Sequence, residues 1–270
     1  MANVTKREAP TPPEIFTTLC DAARGTELVL VGGQALAVWI GHYRLASELP
    51  DGVMAISDDV DFLTRSAADK WAVQRFVRAL HGHPMYPSWR AMTSLVGQAV
   101  LDVSDEEFLN VDVIFKVIGL EADKVRERAV MMGDVRVMHP LDVLYSRLAN
   151  LYQLQEKQTV KGEHQLRLAI DVAREYMREQ LLNAMKAGHT DAYRKVLPVI
   201  KLIARWARDD AGRKVAERFC VHVADAIDPR MVPRASRFWV RFWPSLKELM
   251  SASYIARLHG DDMPPETREV

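Results

Sequence analysis

Apolar and polar positions follow one pattern up to about residue 138 and another after it. Residues 14–24 repeat apolar positions at helical spacing behind Pro12-Pro13, with Thr11 placed to cap and Gly25 to stop the helix. Residues 27–31, Glu-Leu-Val-Leu-Val, read as a short buried strand, which Gly32-Gly33 breaks sharply. An apolar helix then runs from Gln34 to Tyr43. Residues 44–57 carry the turn signal Pro50-Asp51-Gly52 and read as a loop. Residues 59–64 alternate polar and apolar, as a half-buried strand does, and 67–80 are helical. Residues 81–89 hold Gly82, Pro84 and Pro87 and read as irregular. Two strands follow at 99–103 and 109–115, with the acidic stretch 102–107 turning between them. A helix over 121–131 and a short strand over 134–138 complete this half.

Beyond His139-Pro140 the period of two disappears. The helical candidates are 141–154, 165–186, 190–209, 213–226 and 238–258, and the tail from Gly260 is polar. The expected class is α+β: a mixed sheet with flanking helices in residues 1–138, then an all-helical domain in 139–270.

Composition narrows this picture modestly. The chain has 270 residues, 49% of them apolar and 27% charged, enough apolar material for one large core or two smaller ones. No apolar run is long enough to span a bilayer, and the Pro-rich start lacks the apolar core of a signal peptide, so a cytoplasmic location without membrane contact is expected. Cys20 and Cys220 belong to no metal-ligand pattern and read as small buried hydrophobes. The zero net charge hides an asymmetry. Residues 1–138 carry 14 Lys+Arg against 19 Asp+Glu, and residues 139–270 carry 22 against 17. The basic half suits a polyanion, either a triphosphate tail or a nucleic acid; two solvated helical surfaces are the bland alternative.

Three short motifs carry candidate chemistry. Val31-Gly32-Gly33 places two glycines between a strand and a helix, where backbone N–H groups approach an anion closely. Alone, such a pair is more often a plain turn. Asp59-Val60-Asp61-Phe62 sets two carboxylates on one face of a strand and two apolar side chains on the other. Adjacent carboxylates repel and call for a cation, and Mg²⁺ takes ligands from one or two carboxylates plus substrate phosphates. Asp58 falls on the opposite face. Asp112, inside Asn110-Val-Asp-Val-Ile-Phe115, is a lone acid in an apolar strand and needs a partner or a purpose. Asp59, Asp61 and Asp112 together suit a pair of Mg²⁺ ions that clamp an in-line displacement at phosphorus, Asp112 doubling as base.

The order of these motifs resembles the nucleotidyltransferase fold of the DNA polymerase β superfamily. More narrowly, residues 30–38 (Leu-Val-Gly-Gly-Gln-Ala-Leu-Ala-Val) with 57–62 (Ser-Asp-Asp-Val-Asp-Phe) resemble the AbiEii/MenT-type minimal nucleotidyltransferases. That resemblance implies transfer of NMP from an NTP to a hydroxyl, with tRNA as acceptor and a cognate antitoxin as partner where such proteins act as toxins. It implies Gly32 and Gly33 at the β- and γ-phosphates and Ser57 at a phosphate, although Ser57 reads equally as a turn residue. Residues 139–148 are similar to the family's helix after the catalytic sheet, which commonly carries a Lys where Arg147 stands. Arg147, Lys157 and Lys161 are then triphosphate contacts, each with a plain surface residue as its bland reading. Two departures stand out: 26 positions separate Gly33 from Asp59, more than the family's usual spacing, with the loop at 44–57 expected to absorb the excess, and the family's Lys-Asp…Asp cluster in the helical half is broken here, its nearest matches being Lys157, Lys161 and Asp171.

Other residues read blandly. His42 and Arg44 suit a helix C-terminus. His81, His83 and Trp89 lie in an irregular stretch. Arg234, Arg237 and Arg241 with Phe238, Trp239 and Trp243 form a basic-aromatic helix with one wet face, a pattern that also suits RNA. Two other functions compete with macromolecular nucleotidyl transfer: nucleotidylation of a small aminoglycoside-like molecule, and a non-catalytic module that binds a nucleotide or a partner.

Overall fold

A computed structural model describes residues 6–45, 59–88 and 90–260. It is an α+β structure built on one mixed sheet of eight strands. Ser57, Asp58, Trp89, nearly all of the expected loop at 44–57 and the polar tail lie outside the described residues.

Helix α1 (Pro13–Ala23) starts behind Pro12 with no side-chain cap, so Thr11 does not serve as one. Ahead of it lies an unexpected short strand, β1 (Arg7–Glu8), which runs parallel to a later strand at Glu107-Phe108. Strand β2 (Val29–Val31) leads directly into α2 (Gly32–Tyr43), so both glycines belong to the helix and not to a separate turn. Strand β3 (Val60–Leu63) and α3 (Lys70–Leu80) follow; the helix starts three residues later than its apolar period suggested, behind Asp69.

The irregular stretch at 81–89 contains a strand, β4 (His83–Met85), which sits at the sheet edge. Pro84 is tolerated there because an edge strand leaves some N–H groups outside the ladder. Strands β5 (Leu95–Asp102) and β6 (Glu107–Ile114) form a long hairpin, β5 starting four residues earlier than expected with an irregular register between Leu95 and Gly97. Helix α4 (Ala122–Arg128) ends before β7 (Val130–Met132), where a continuing helix was expected. Gly133-Asp134 turns β7 back onto β8 (Val135–Val137), a two-residue hairpin loop between apolar runs. The strand order is β4-β5-β6-β3-β2-β8-β7.

From Pro140 onward the described residues contain helices and no strands. Helix α5 (Pro140–Gln153) is followed by a 3₁₀ turn, Gln155–Lys157, and by the long α6 (Val160–Lys186). Thr159 caps α6 by accepting from the Gly162 N–H, which starts the helix more than a turn earlier than its apolar period indicated. The expected helix at 190–209 is a 3₁₀ turn and then α7 (Leu197–Arg208), because Pro198 is accommodated only in a first turn. Helix α8 (Asp210–Phe219) stops at Cys220, which adopts a left-handed conformation and is exposed, not buried as its residue type suggested. The expected helix at 238–258 is three pieces, α9 (Phe238–Arg241), α10 (Trp243–Lys247) and α11 (Ala252–Gly260), with Pro244 in the first turn of the second.

One hydrophobic cluster runs through both halves of the chain. On one sheet face Phe62 stacks on Phe76 of α3 with ring centroids 4.6 Å apart. Both rings are fully buried, and each such burial contributes about 1.5–3 kcal/mol. Within the first half, Trp39 Nε1 donates to the Met138 carbonyl at 2.8 Å; between the halves, Tyr43 of α2 donates to Glu179 of α6 at 2.8 Å. Helix α2 packs on both α5 and α6. The strand ends carrying the aspartates thereby face the start of the helical half. No helix among the described residues is long and apolar enough to cross a membrane.

Candidate active site

The parallel pairing of β3 and β6 puts Asp61 directly beside Asp112, and Asp59 precedes the same strand. One carboxylate oxygen from each of the three lies within 4.8 Å of the others. All three side chains are half-buried, while Val60, Phe62, Val111 and Val113 point into the core. The alternation of the strand produces this split: a half-turn per residue sends every second side chain to the opposite face.

The antiparallel pairing of β2 and β3 sets Val31 opposite Asp61, so α2 begins against that carboxylate. Gly32 has φ +68, and a Cβ there would overlap the Asp61 carboxylate. Glycine is required twice over, for the left-handed backbone and for the close approach. The N-cap residue Val31 makes no side-chain capping bond, and a helix start of this kind favours an anion.

Opposite the sheet, Arg147 on α5 is about nine-tenths buried and donates to Gln165 of α6 at 3.1 Å. Its Nε is buried without a partner. Lys157 ends the 3₁₀ turn and Lys161 lies in the first turn of α6; Gly162 packs against the Lys157 carbonyl so closely that any Cβ would overlap it. The two walls enclose a cleft of about 480 Å³ lined by Gly32, Gly33, the three aspartates, Arg147, Lys157 and Lys161, a volume suited to a small-molecule ligand. Leu95, Ile114, Val117, Ile118 and Leu154 give it an apolar side.

Burial and mutual repulsion dominate the electrostatics of the carboxylate cluster. Burial, reinforced by Asp59 and then Asp112, raises the Asp61 carboxyl from 3.8 to about 7, with Arg147 and Lys157 opposing. Asp112 is also raised, mainly by burial, against the pull of hydrogen bonds from Gln98 and Asn110. Burial lowers the Arg147 guanidinium's pKa, and the charges of Asp61 and Asp59 partly restore it. Clustered half-buried carboxylates bind a proton or a metal ion to relieve their repulsion. The donor set is all oxygen, as Mg²⁺ requires, so these residues fit a divalent metal.

Every sequence-predicted site residue inside the described residues lines this cleft; Ser57 lies outside them. Sequence reasoning passed over Gln98, Lys116 and Gln165, and used Asn110 only to frame Asp112. Asn110 was findable, two residues before Asp112 on the same strand face. Gln98, Lys116 and Gln165 carry no local signal, because register and helix packing bring them in. Elsewhere, His42 and Tyr43 pack edge-on, and His83 lies 3.8 Å from Asp102. Arg234 covers the Trp239 ring at 3.7 Å, while Phe238 and Trp243 are buried. Among the described residues none of these lines the cleft.

Comparison with known proteins returned no matching family model, no matching curated protein and no matching solved structure.

Proposed function

We propose that this protein is a Mg²⁺-dependent nucleotidyltransferase of the DNA polymerase β type, moving NMP from an NTP to a hydroxyl acceptor. The observation that carries the reading is the side-by-side placement of Asp61 and Asp112 on parallel strands, with Asp59 beside them and Gly32 against Asp61. Asp59, Asp61 and Asp112 would hold the metal, which when bound would neutralise charge on the phosphates and on the entering and leaving oxygens.

The protein's own groups divide the remaining work. The start of α2 at Gly32-Gly33 and the cations Lys157, Lys161 and Arg147 face one another across the cleft, the arrangement a triphosphate needs. Asp112 accepts the proton of the attacking hydroxyl. That oxygen bonds to the α-phosphorus, the bond from the α-phosphorus to its bridging oxygen breaks, and pyrophosphate departs with the bond's electron pair. The buried arginine opposite the carboxylates stabilises the negative charge spread over the phosphoryl oxygens.

We take the acceptor to be a macromolecular hydroxyl, with tRNA as the first candidate, and a toxin held in check by a cognate antitoxin as the biological setting. The cations lining the cleft argue against a cationic aminoglycoside-like substrate, and the presence of all three carboxylates argues against a purely binding module. The test is incubation with each α-³²P-labelled NTP and total RNA, comparing wild type with Asp59→Ala. Label on RNA from wild type alone supports the reading; equal labelling by both proteins, or none under any NTP, refutes it.

A further inference from the structure

The three carboxylates are not equivalent. Strand β5 pairs antiparallel with β6 so that Gln98 stands directly opposite Asp112. Asn110 lies two residues before Asp112 and shares its face of the sheet. Gln98 Nε2 donates to Asp112 Oδ1 at 2.8 Å, and Asn110 Nδ2 donates to the same oxygen at 3.1 Å. A carboxylate oxygen offers two lone-pair sites. Two amide donors therefore fill Oδ1 and leave Oδ2 as the oxygen able to take a cation.

We propose that Gln98 and Asn110 are positioning residues that hold Asp112 as a one-oxygen ligand and thereby select a small octahedral cation over a larger one. The inference rests on the metal-dependent reading above. Mg²⁺ and ions like it bind single carboxylate oxygens at about 2.0–2.1 Å in strict octahedral geometry, whereas Ca²⁺ accepts both oxygens of one carboxylate at about 2.3–2.6 Å. A carboxylate with one oxygen occupied by amides cannot offer the two-oxygen mode without breaking those bonds. The same clamp fixes the carboxylate's rotation, so Oδ2 keeps one direction relative to Asp61. Hydrogen bonds behind metal ligands typically carry about 10–100-fold in metal affinity.

The experiment is calorimetric titration of the intact protein with Mn²⁺, standing in for Mg²⁺, and separately with Ca²⁺. Wild type is compared with Gln98→Met, which keeps the side chain's length and removes its donor, and with Asn110→Leu. Wild type is expected to prefer Mn²⁺. Gln98→Met is expected to lose about 10–100-fold of Mn²⁺ affinity while its Ca²⁺ affinity falls less or rises, so the ratio of the two constants moves toward Ca²⁺. Asn110→Leu moves it in the same direction, and carries the test if Gln98→Met shows no cooperative melt. A merely structural role would weaken both ions together. An unchanged ratio in the folded variants, with wild type still binding Mn²⁺, overturns the clamp and leaves the metal reading standing. Wild type that binds no Mn²⁺ overturns the metal reading itself.

Discussion

Replacing Asp61 by Asn keeps the side chain's shape and removes the charge that burial and its neighbours oppose. With the Asp61 carboxyl raised from 3.8 to about 7, the folded protein holds this proton more tightly than the unfolded chain does. The associated stability is fully present below about pH 4 and declines as pH rises toward 7. Three units correspond to about 4 kcal/mol. In EDTA the Asn variant, which mimics the protonated acid, is therefore expected to be more stable than wild type by about 4 kcal/mol at pH 8, by about 2 kcal/mol at pH 5, and by almost nothing below pH 4. Mg²⁺ at millimolar concentration should raise the melting temperature of wild type at pH 8 and leave that of Asp61→Asn nearly unmoved. Urea denaturation at several pH values, with EDTA and with Mg²⁺, measures all of these quantities. An Asn variant no more stable than wild type at pH 8, or a stability gap that grows as pH falls, would show that Asp61 is not held in a repulsive cluster.

Gly32→Ala is expected to cost about 2–4 kcal/mol, combining left-handed strain with overlap at the Asp61 carboxylate. Gly25→Ala is the internal control: its φ is +69 but nothing lies within 4 Å of the added Cβ. It should cost only about 1 kcal/mol by urea denaturation, and equal losses at the two sites would remove the argument for close approach. Lys157→Ala and Lys161→Ala should each raise the KM for NTP about 10-fold or more, the worth of a charge-assisted hydrogen bond, with a smaller change in kcat; steady-state transfer kinetics report the split. Phe76→Ala, which strips the ring stacked behind Asp61's strand, should lower stability by about 3–5 kcal/mol, read from the shift in urea midpoint.

The α+β class, the placement of all described strands before residue 138, and the three aspartates were legible from local pattern alone. Alternation over 59–64 puts Asp59 and Asp61 on one face whatever the strand pairs with, and an acid inside an apolar strand marks Asp112 by its cost. Single prolines and a short hairpin overrule apolar period at three places. Pro198 and Pro244 divide helices that hydrophobicity alone would run together, and Gly133-Asp134 turns a strand where a helix was expected. The N-terminal strand and the edge strand at His83–Met85 had no periodic signal, being too short to show one.

What the tertiary structure decided is which groups meet. Register between β3 and β6 aligns Asp61 with Asp112, and a one-residue slip would send one of them to the other face. Register between β5 and β6 delivers Gln98 to Asp112, though 14 positions separate them. The packing of α2 on α5 and α6 brings Arg147, Lys157 and Lys161 over the carboxylates from 35 or more positions beyond Asp112 and 86 or more beyond Asp61. A strand's sequence dictates which side of itself each residue faces, because that depends only on its own backbone. The residue it faces depends on long-range pairing and packing, and there the cleft acquires its charge, its clamp and its shape.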